Sequence, residues 1–190
     1  MAELKDSGAR RAFESGAVRD IAEGKGRCDL LPLGVVSRFL GNDSLHDVVL
    51  CHINSYISDG DTDCLLYAIK EFCRGEGIDP YTAMLEVSKH YEDGARKYAE
   101  RNWEKGLDVH CFIDSGVRHY LKHKRGDIDE PHNRAFIWNM LGAVWTHQNK
   151  PELIDLPFKE KRCCVAPDIA EDTSKTRTEK KKSYIETCFG

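Results

Sequence analysis

The fold class predicted by this sequence is all-α, a helical bundle, and three observations predict it. Apolar residues recur at i, i+3 and i+4 in six successive segments. Those segments are bounded by Asp, Ser, Pro and Gly where helix ends require them. No run alternates apolar and polar residues with period two, so strands are not expected. The chain has 190 residues, enough for one domain with a real core. Hydrophobic residues make up 41% and charged residues 32%, too apolar for a disordered chain and too polar for a membrane protein. No stretch approaches 18 apolar residues, and the start lacks the apolar core of a secretory signal. A cytoplasmic protein is expected.

The elements follow in order. Residues 1–27 are glycine-punctuated and predict irregular structure. Leu33 to Leu40 reads as a helix entering the core. Residues 41–79 predict two helices and a possible helical insertion. Asp43 or Ser44 caps the first, with Leu45, Val48, Val49 and Ile53 on one face. After Ser58-Asp59-Gly60-Asp61-Thr62, the second runs from Cys64 to Cys73. Asp79-Pro80 is a cap followed by proline in the first helical position, and that helix extends to about Asn102. Another starts near Asp108 and ends before Gly126, and the last opens at Glu130-Pro131 and reaches about Trp145. Residues 1–149 therefore predict a single helical domain. Residues 150–190, polar and charged towards their end, predict a flexible tail.

Eight cysteines occur without any C-x-x-C spacing, which excludes a zinc ribbon or a thioredoxin-type motif. Thiols are expected, and adjacent Cys163 and Cys164 are unsuited to a mutual disulfide. With 28 Lys+Arg against 32 Asp+Glu, the net charge of −4 argues against general nucleic-acid binding. Residues 150–190 hold 9 bases and 8 acids, so the acidity belongs to residues 1–149.

Polar residues on faces that should be dry carry the functional signal. In the helix after Pro80, Leu85, Ser88, Glu92, Ala95 and Ala99 share a stripe, which predicts an inward Glu92 and a solvated Asp93. In the next, Asp114 lies beside the apolar face and one turn from Arg118, the spacing of a helix-stabilising ion pair. The last helix is apolar on every side and hence buried, yet it contains Asn139, with His132 two turns earlier. An unpaired buried amide costs about 1–3 kcal/mol, so Asn139 requires partners. Three inward polar groups on three helices suit either a ligand site or a structural hydrogen-bond network. As a metal set, the oxygen-rich Glu92, Asp114 and Asn139 suit Mg²⁺ or Mn²⁺ better than Zn²⁺.

Other patterns are weaker. His119 and His123 are one turn apart, but no Glu follows His119, and solvent-facing histidines are the simpler reading. His46-Asp47 matches an HD dyad, though no histidine precedes it. Gly24-Lys25-Gly26-Arg27 is too short for a P-loop, but its backbone and cations suit a phosphate.

Taken in series, a more specific pattern emerges: Gly24-Lys25-Gly26-Arg27-Cys28-Asp29-Leu30-Leu31-Pro32, then His90-Tyr91-Glu92-Asp93-Gly94-Ala95-Arg96-Lys97-Tyr98, then Arg101-Asn102-Trp103-Glu104-Lys105-Gly106. Asp114-Ser115-Gly116-Val117-Arg118-His119 follows, then His132, Ala135 and Trp138-Asn139. The series resembles the phage-associated dATP/dGTP diphosphohydrolase N-terminal domain family, related to the MazG-like all-α nucleoside triphosphate pyrophosphohydrolases. It covers residues 6–40 and 85–147 and takes nothing from residues 41–84. The resemblance implies Mg²⁺-dependent hydrolysis of a deoxynucleoside triphosphate to the monophosphate and pyrophosphate, in a dimer or tetramer. It implies Glu92 and Asp114 as catalytic residues, and Glu92, Asp93, Asp114, His132 and Asn139 as metal ligands. Lys97, Arg101, Arg118 and His119 would face the triphosphate, and Asn102 or Trp103 the sugar or base. Lys25, Arg27 and Asp29 would close over the nucleotide. MazG-like enzymes carry Glu-Glu-x-x-Glu and a later Glu-x-x-Asp; here Arg96 stands at the third acid, and His132 and Asn139 replace the later pair. A nucleotide-binding module without hydrolysis is the alternative, and a structural protein whose tail recruits a partner is a further one.

Overall fold

Six helices carry the described part of the chain, which in this computed structural model comprises residues 9–20, 25–41 and 46–159. They are α1 (Leu33–Leu40), α2 (Val48–Asp59), α3 (Thr62–Gly75), α4 (Pro80–Lys97), α5 (Val109–Arg125) and α6 (His132–Asn149). The all-α reading holds, and so do most helix limits, because short polar side chains satisfy the free amides of the first turns. Asp79 accepts from the Thr82 amide at 2.8 Å, with Pro80 in the first helical position. The cap of α2 is Asp47, at 3.1 Å from the Leu50 amide, and the expected Asp43 and Ser44 lie outside the described residues. Gly60 and Gly126 end α2 and α5 at φ of 72° and 87°, a backbone region that only glycine enters freely.

Helix α6 is the centre of the bundle, as its all-round apolar sequence requires. It packs on α3, α4 and α5, while α1, α2 and α3 form a neighbouring layer. The core runs through Leu50, Ile53, Leu65, Phe72, Phe112, Ile113, Phe136, Ile137 and Met140. Residues 48–75 supply Leu50, Ile53, Leu65 and Phe72 to this core. The closest approach is between α5 and α6. A Cβ on Gly116 would lie 2.2 Å from Met140 Cε, and one on Gly142 would lie 2.4 Å from the Phe112 ring.

Two expectations are corrected. Strands do occur: β1 (Arg10–Ala12) and β2 (Val18–Asp20) pair antiparallel, with Gly16 at φ 79° in the turn. Three-residue strands are too short to show a period, and this pair is held from outside. Asn102 accepts from the Val18 amide at 3.1 Å and donates to the Val18 carbonyl at 3.0 Å, and Ser15 donates to the Gly106 carbonyl at 2.6 Å. Nor does the folded part stop at residue 149. Beyond the short 3₁₀ turn Pro151–Leu153, the side chains of Ile154, Leu156 and Phe158 are buried in the core. The Asp155 carboxylate and the His110 ring form an ion pair, with the His110 amide donating to the same carboxylate at 3.0 Å. Residues 160–190 of the expected tail, including Cys163, Cys164 and Cys188, lie outside the described residues. The five described cysteines are thiols.

Two outcomes are expected. Gly142→Ala should destabilise the protein by about 1–3 kcal/mol by overpacking against Phe112. Gly94→Ala, in a helix and with open space around its Cβ, should stabilise it by about 0.5–1 kcal/mol. Urea unfolding measures both. A further outcome concerns pH. Hydrogen bonds from His110 to Asp155 and Cys111 raise the His110 pKa to about 10. Its stabilisation is full below the unfolded value of 6.5 and is lost as pH rises through about 10. Burial pushes the Asp155 carboxyl up, but the bonds to His110 pull it net below 3.8, so its share is lost only in acid. The unfolding free energy should therefore decline between pH 6.5 and 10, and decline less in His110→Gln.

Candidate functional site

A cavity of about 1060 Å³ opens between the hairpin, residues 25–27, α4, the 100–107 loop, α5, the turn before α6 and the middle of α6. Among the described residues lining it, Arg11, Arg19, Lys25, Arg27, Lys97, Arg101, Arg118 and Lys122 outnumber Asp20, Glu92, Glu100, Asp114, Asp129 and Glu130. An acidic chain thus encloses a cavity in which cations are in excess.

The local sequence explains how these groups arrive. Residue 19 follows Val18, which Asn102 pins, so the hairpin carries Arg19 over α5 and α6. Its guanidinium donates to Asn139 Oδ1 at 2.6 Å and to the Cys111 carbonyl at 3.2 Å. It also lies 5.6 and 5.7 Å from the ring centroids of Phe112 and Trp138. Burial pulls its pKa down, and no carboxylate among the described residues lies within ion-pair distance of it. A desolvated cation with neutral partners is a poor structural element and a good receptor for an anion.

The neighbouring cations are braced. Arg118 is ion-paired with Asp114 one turn earlier and donates to the Lys25 and Gly26 carbonyls at 3.1 and 2.9 Å. The other Asp114 oxygen accepts from the Cys28 amide at 2.6 Å. One carboxylate thus fixes both Arg118 and the 25–28 turn. Partial burial lowers the Lys25 pKa, with Asp20 opposing the shift. Asp20 also receives Lys97 Nζ at 2.8 Å and the Tyr98 hydroxyl at 2.9 Å. The Asp29 carboxylate accepts from Arg27 Nε at 2.7 Å, and this bond raises the Arg27 pKa. An aromatic wall completes the cavity: Trp103 meets Tyr91 and Trp145 edge-on at 5.4 and 5.0 Å.

The structure brings most of the expected residues together. Lys25, Arg27, Glu92, Lys97, Arg101, Asn102, Trp103, Asp114, Arg118, His119 and Asn139 line the cavity; Asp29, Asp93 and His132 do not. The phase of α4 differs from expectation. Its buried residues are Ala83, Val87 and His90, while Leu85 is exposed. Glu92 is therefore outward, its side chain 59% exposed at the cavity rim and ion-paired with Arg96. Asp93, expected in solvent, is only 19% exposed and accepts from Arg134 Nη2 at 3.0 Å. The phase was misleading because α4 leaves Met84 and Leu85 on its surface. Asn102 spends its amide on Val18. Arg101 sits at φ 54° and pairs with Glu104. Asp47 caps α2 and accepts from the Tyr120 hydroxyl at 2.7 Å, which occupies it structurally.

The expected oxygen ligands are each engaged by protein groups. Glu92 and Asp93 are both bridged by Arg96, Asp114 is held by Arg118 and Cys28, and Asn139 by Arg19 and the Ala135 carbonyl. Arg96, at the third-acid position, supplies the opposing charge. Donor groups of metal-holding geometry do occur: His119, Glu130 and His132, and Asp127, Asp129 and His132. His119 is not paired with His123, which bonds Glu76 at 2.9 Å instead. Burial, reinforced by His132 and Arg19, keeps the His119 pKa well below the ordinary histidine value. His90, beneath the cavity, is lowered to about 4 by burial and by Arg134. Arg19, Asp20 and Glu130 escaped the sequence reading. Only the charged pair Arg19-Asp20 in a glycine-rich stretch could have signalled the first two.

Residues 68–156 match the family described as dATP/dGTP diphosphohydrolase, N-terminal. The match includes residues 68–84, from which the motif series drew nothing, and ends at the buried segment after α6. No curated protein and no solved structure matches the chain. No described helix is long and apolar enough to cross a membrane.

Proposed function

Since residues 68–156 assign this chain to the dATP/dGTP diphosphohydrolase N-terminal family, we propose that its cavity binds dATP or dGTP and hydrolyses it to the monophosphate and pyrophosphate. The observation that carries this reading is Arg19, a desolvated guanidinium on the cavity wall with no carboxylate partner among the described residues. In the reaction, a water oxygen bonds to the α-phosphorus, the bond to the bridging oxygen breaks, and pyrophosphate leaves. Such chemistry depends mainly on positioning and on charge compensation. Arg19, Lys25 and Arg118 would neutralise the triphosphate, and Trp103 with Tyr91 would offer a face to the base. Asp114 acts as a positioning residue, since its oxygens hold Arg118 and the Cys28 amide. Glu92 is the carboxylate suited to orient water. It lines the cavity, and its ion pair with Arg96 is exposed and worth about 0–1 kcal/mol. Exposed Val35 and Phe39 on α1 support the further reading of a dimer or tetramer.

A nucleotide-binding module without hydrolysis is the second reading. The observation favouring it is Arg96, which pairs with both Glu92 and Asp93.

The test is to incubate the full chain with each deoxynucleoside triphosphate and divalent cations, and to measure pyrophosphate and monophosphate. Cleavage of dATP or dGTP supports the enzyme; binding without cleavage supports the second reading. Arg19→Gln should raise KM about 10- to 100-fold, the loss of one or two charge-assisted hydrogen bonds. Glu92→Gln should lower kcat about 100-fold or more with an unchanged melting temperature; full activity would remove Glu92 from the reaction.

A further inference from the structure

We infer that His119, Glu130 and His132 form a seat for one divalent transition-metal ion on the cavity wall, with Asp129 orienting His132. The two Nδ1 atoms are 3.0 Å apart, and Glu130 Oε1 lies 3.6 Å from each. A triangle with these edges has its corners about 2.0 Å from its centre, which matches metal bonds of about 2.0–2.2 Å. Two imidazoles and one carboxylate on one face form the donor set that first-row transition ions take, leaving positions open on the far side.

The supporting atoms agree. His132 Nε2 lies 2.8 Å from Asp129 Oδ1, so that nitrogen donates and leaves the Nδ1 lone pair directed at the seat. A carboxylate behind a ligating histidine is the usual support of such sites. His132 is buried, and His119, Asp129 and Glu130 line the cavity, so the open positions face the space assigned to the nucleotide. The ligands come from α5, the connecting turn and the start of α6. Their register follows from the α5–α6 packing. The ion class differs from the Mg²⁺ that the sequence led one to expect, and the oxygen ligands expected for Mg²⁺ are the ones held by arginines.

The inference shares its cavity with the proposed hydrolase site, and its test uses no nucleotide. The full chain, stripped of metal by chelation, is titrated with Co²⁺ and followed by visible absorption and calorimetry. One ion per chain is expected, with ligand-field bands unlike those of aqueous Co²⁺ and no displacement by millimolar Mg²⁺. His119→Gln and Glu130→Gln, checked for fold by circular dichroism, should weaken binding at least 100-fold. Asp129→Asn should weaken it about 10- to 100-fold. His132→Gln adds a fourth variant, and the partly exposed Glu130 and Asp129 keep the test decisive if that buried change prevents folding. Unchanged Co²⁺ affinity in His119→Gln and Glu130→Gln overturns the inference, leaving a hydrogen-bonded histidine pair. Displacement by Mg²⁺, or loss of binding only in Glu92→Gln and Asp114→Asn, overturns it in favour of the oxygen ligands. A chain that binds Co²⁺ as expected but cleaves no nucleotide retains the seat and loses only the hydrolase reading.

Discussion

The close contact of α5 with α6 is the constraint on which the rest depends. Gly116 and Gly142 leave room for Met140 and Phe112 at separations that a methyl group would abolish. That approach brings Asp114 and His119 on one helix alongside His132 and Asn139 on the other. Each then receives its partner from elsewhere: Asp114 from the 25–28 turn, Asn139 from the hairpin, His132 from the turn between the helices. A bundle of ordinary apolar packing thus arranges polar atoms that its own hydrophobic pattern does not specify.

The cations of the cavity fall into two physical kinds. Arg118, Lys97 and Arg27 are braced by carboxylates, which fix their direction and reduce their field. Arg19 is held by an amide oxygen, a peptide carbonyl and two aromatic faces, which fix its direction without cancelling its charge. A low local dielectric strengthens the attraction of such a group for an anion and raises the cost of leaving it alone.

What was legible in the sequence follows from range. The Asp79-Pro80 start, the Asp114–Arg118 pair and the burial of α6 are decided within one or two turns, and spacing reveals them. The apolar surroundings of Asn139 place it in the core and require partners for it, yet its partner lies 120 residues away in chain order. No local rule names Arg19, since β1 and β2 exist only where Asn102 and Gly106 receive them. On α4, exposed Met84 and Leu85 turned the apparent apolar stripe away from the true inner face of Ala83, Val87 and His90. The His119–His132 contact depends on the turn at Gly126, and its register cannot be read from either helix alone.

The aromatic wall has a consequence of another kind. The chain contains three tryptophans. Trp103 and Trp138 line the cavity, and Trp145 lies against Trp103. Trp138 is also within 5.7 Å of the Arg19 guanidinium and 5.3 Å of the His90 ring, both able to perturb an excited indole. The whole of the indole emission therefore originates at or beside one chamber. With no label attached, the protein carries an optical signal of what enters that chamber and of whether Arg19 stays in place.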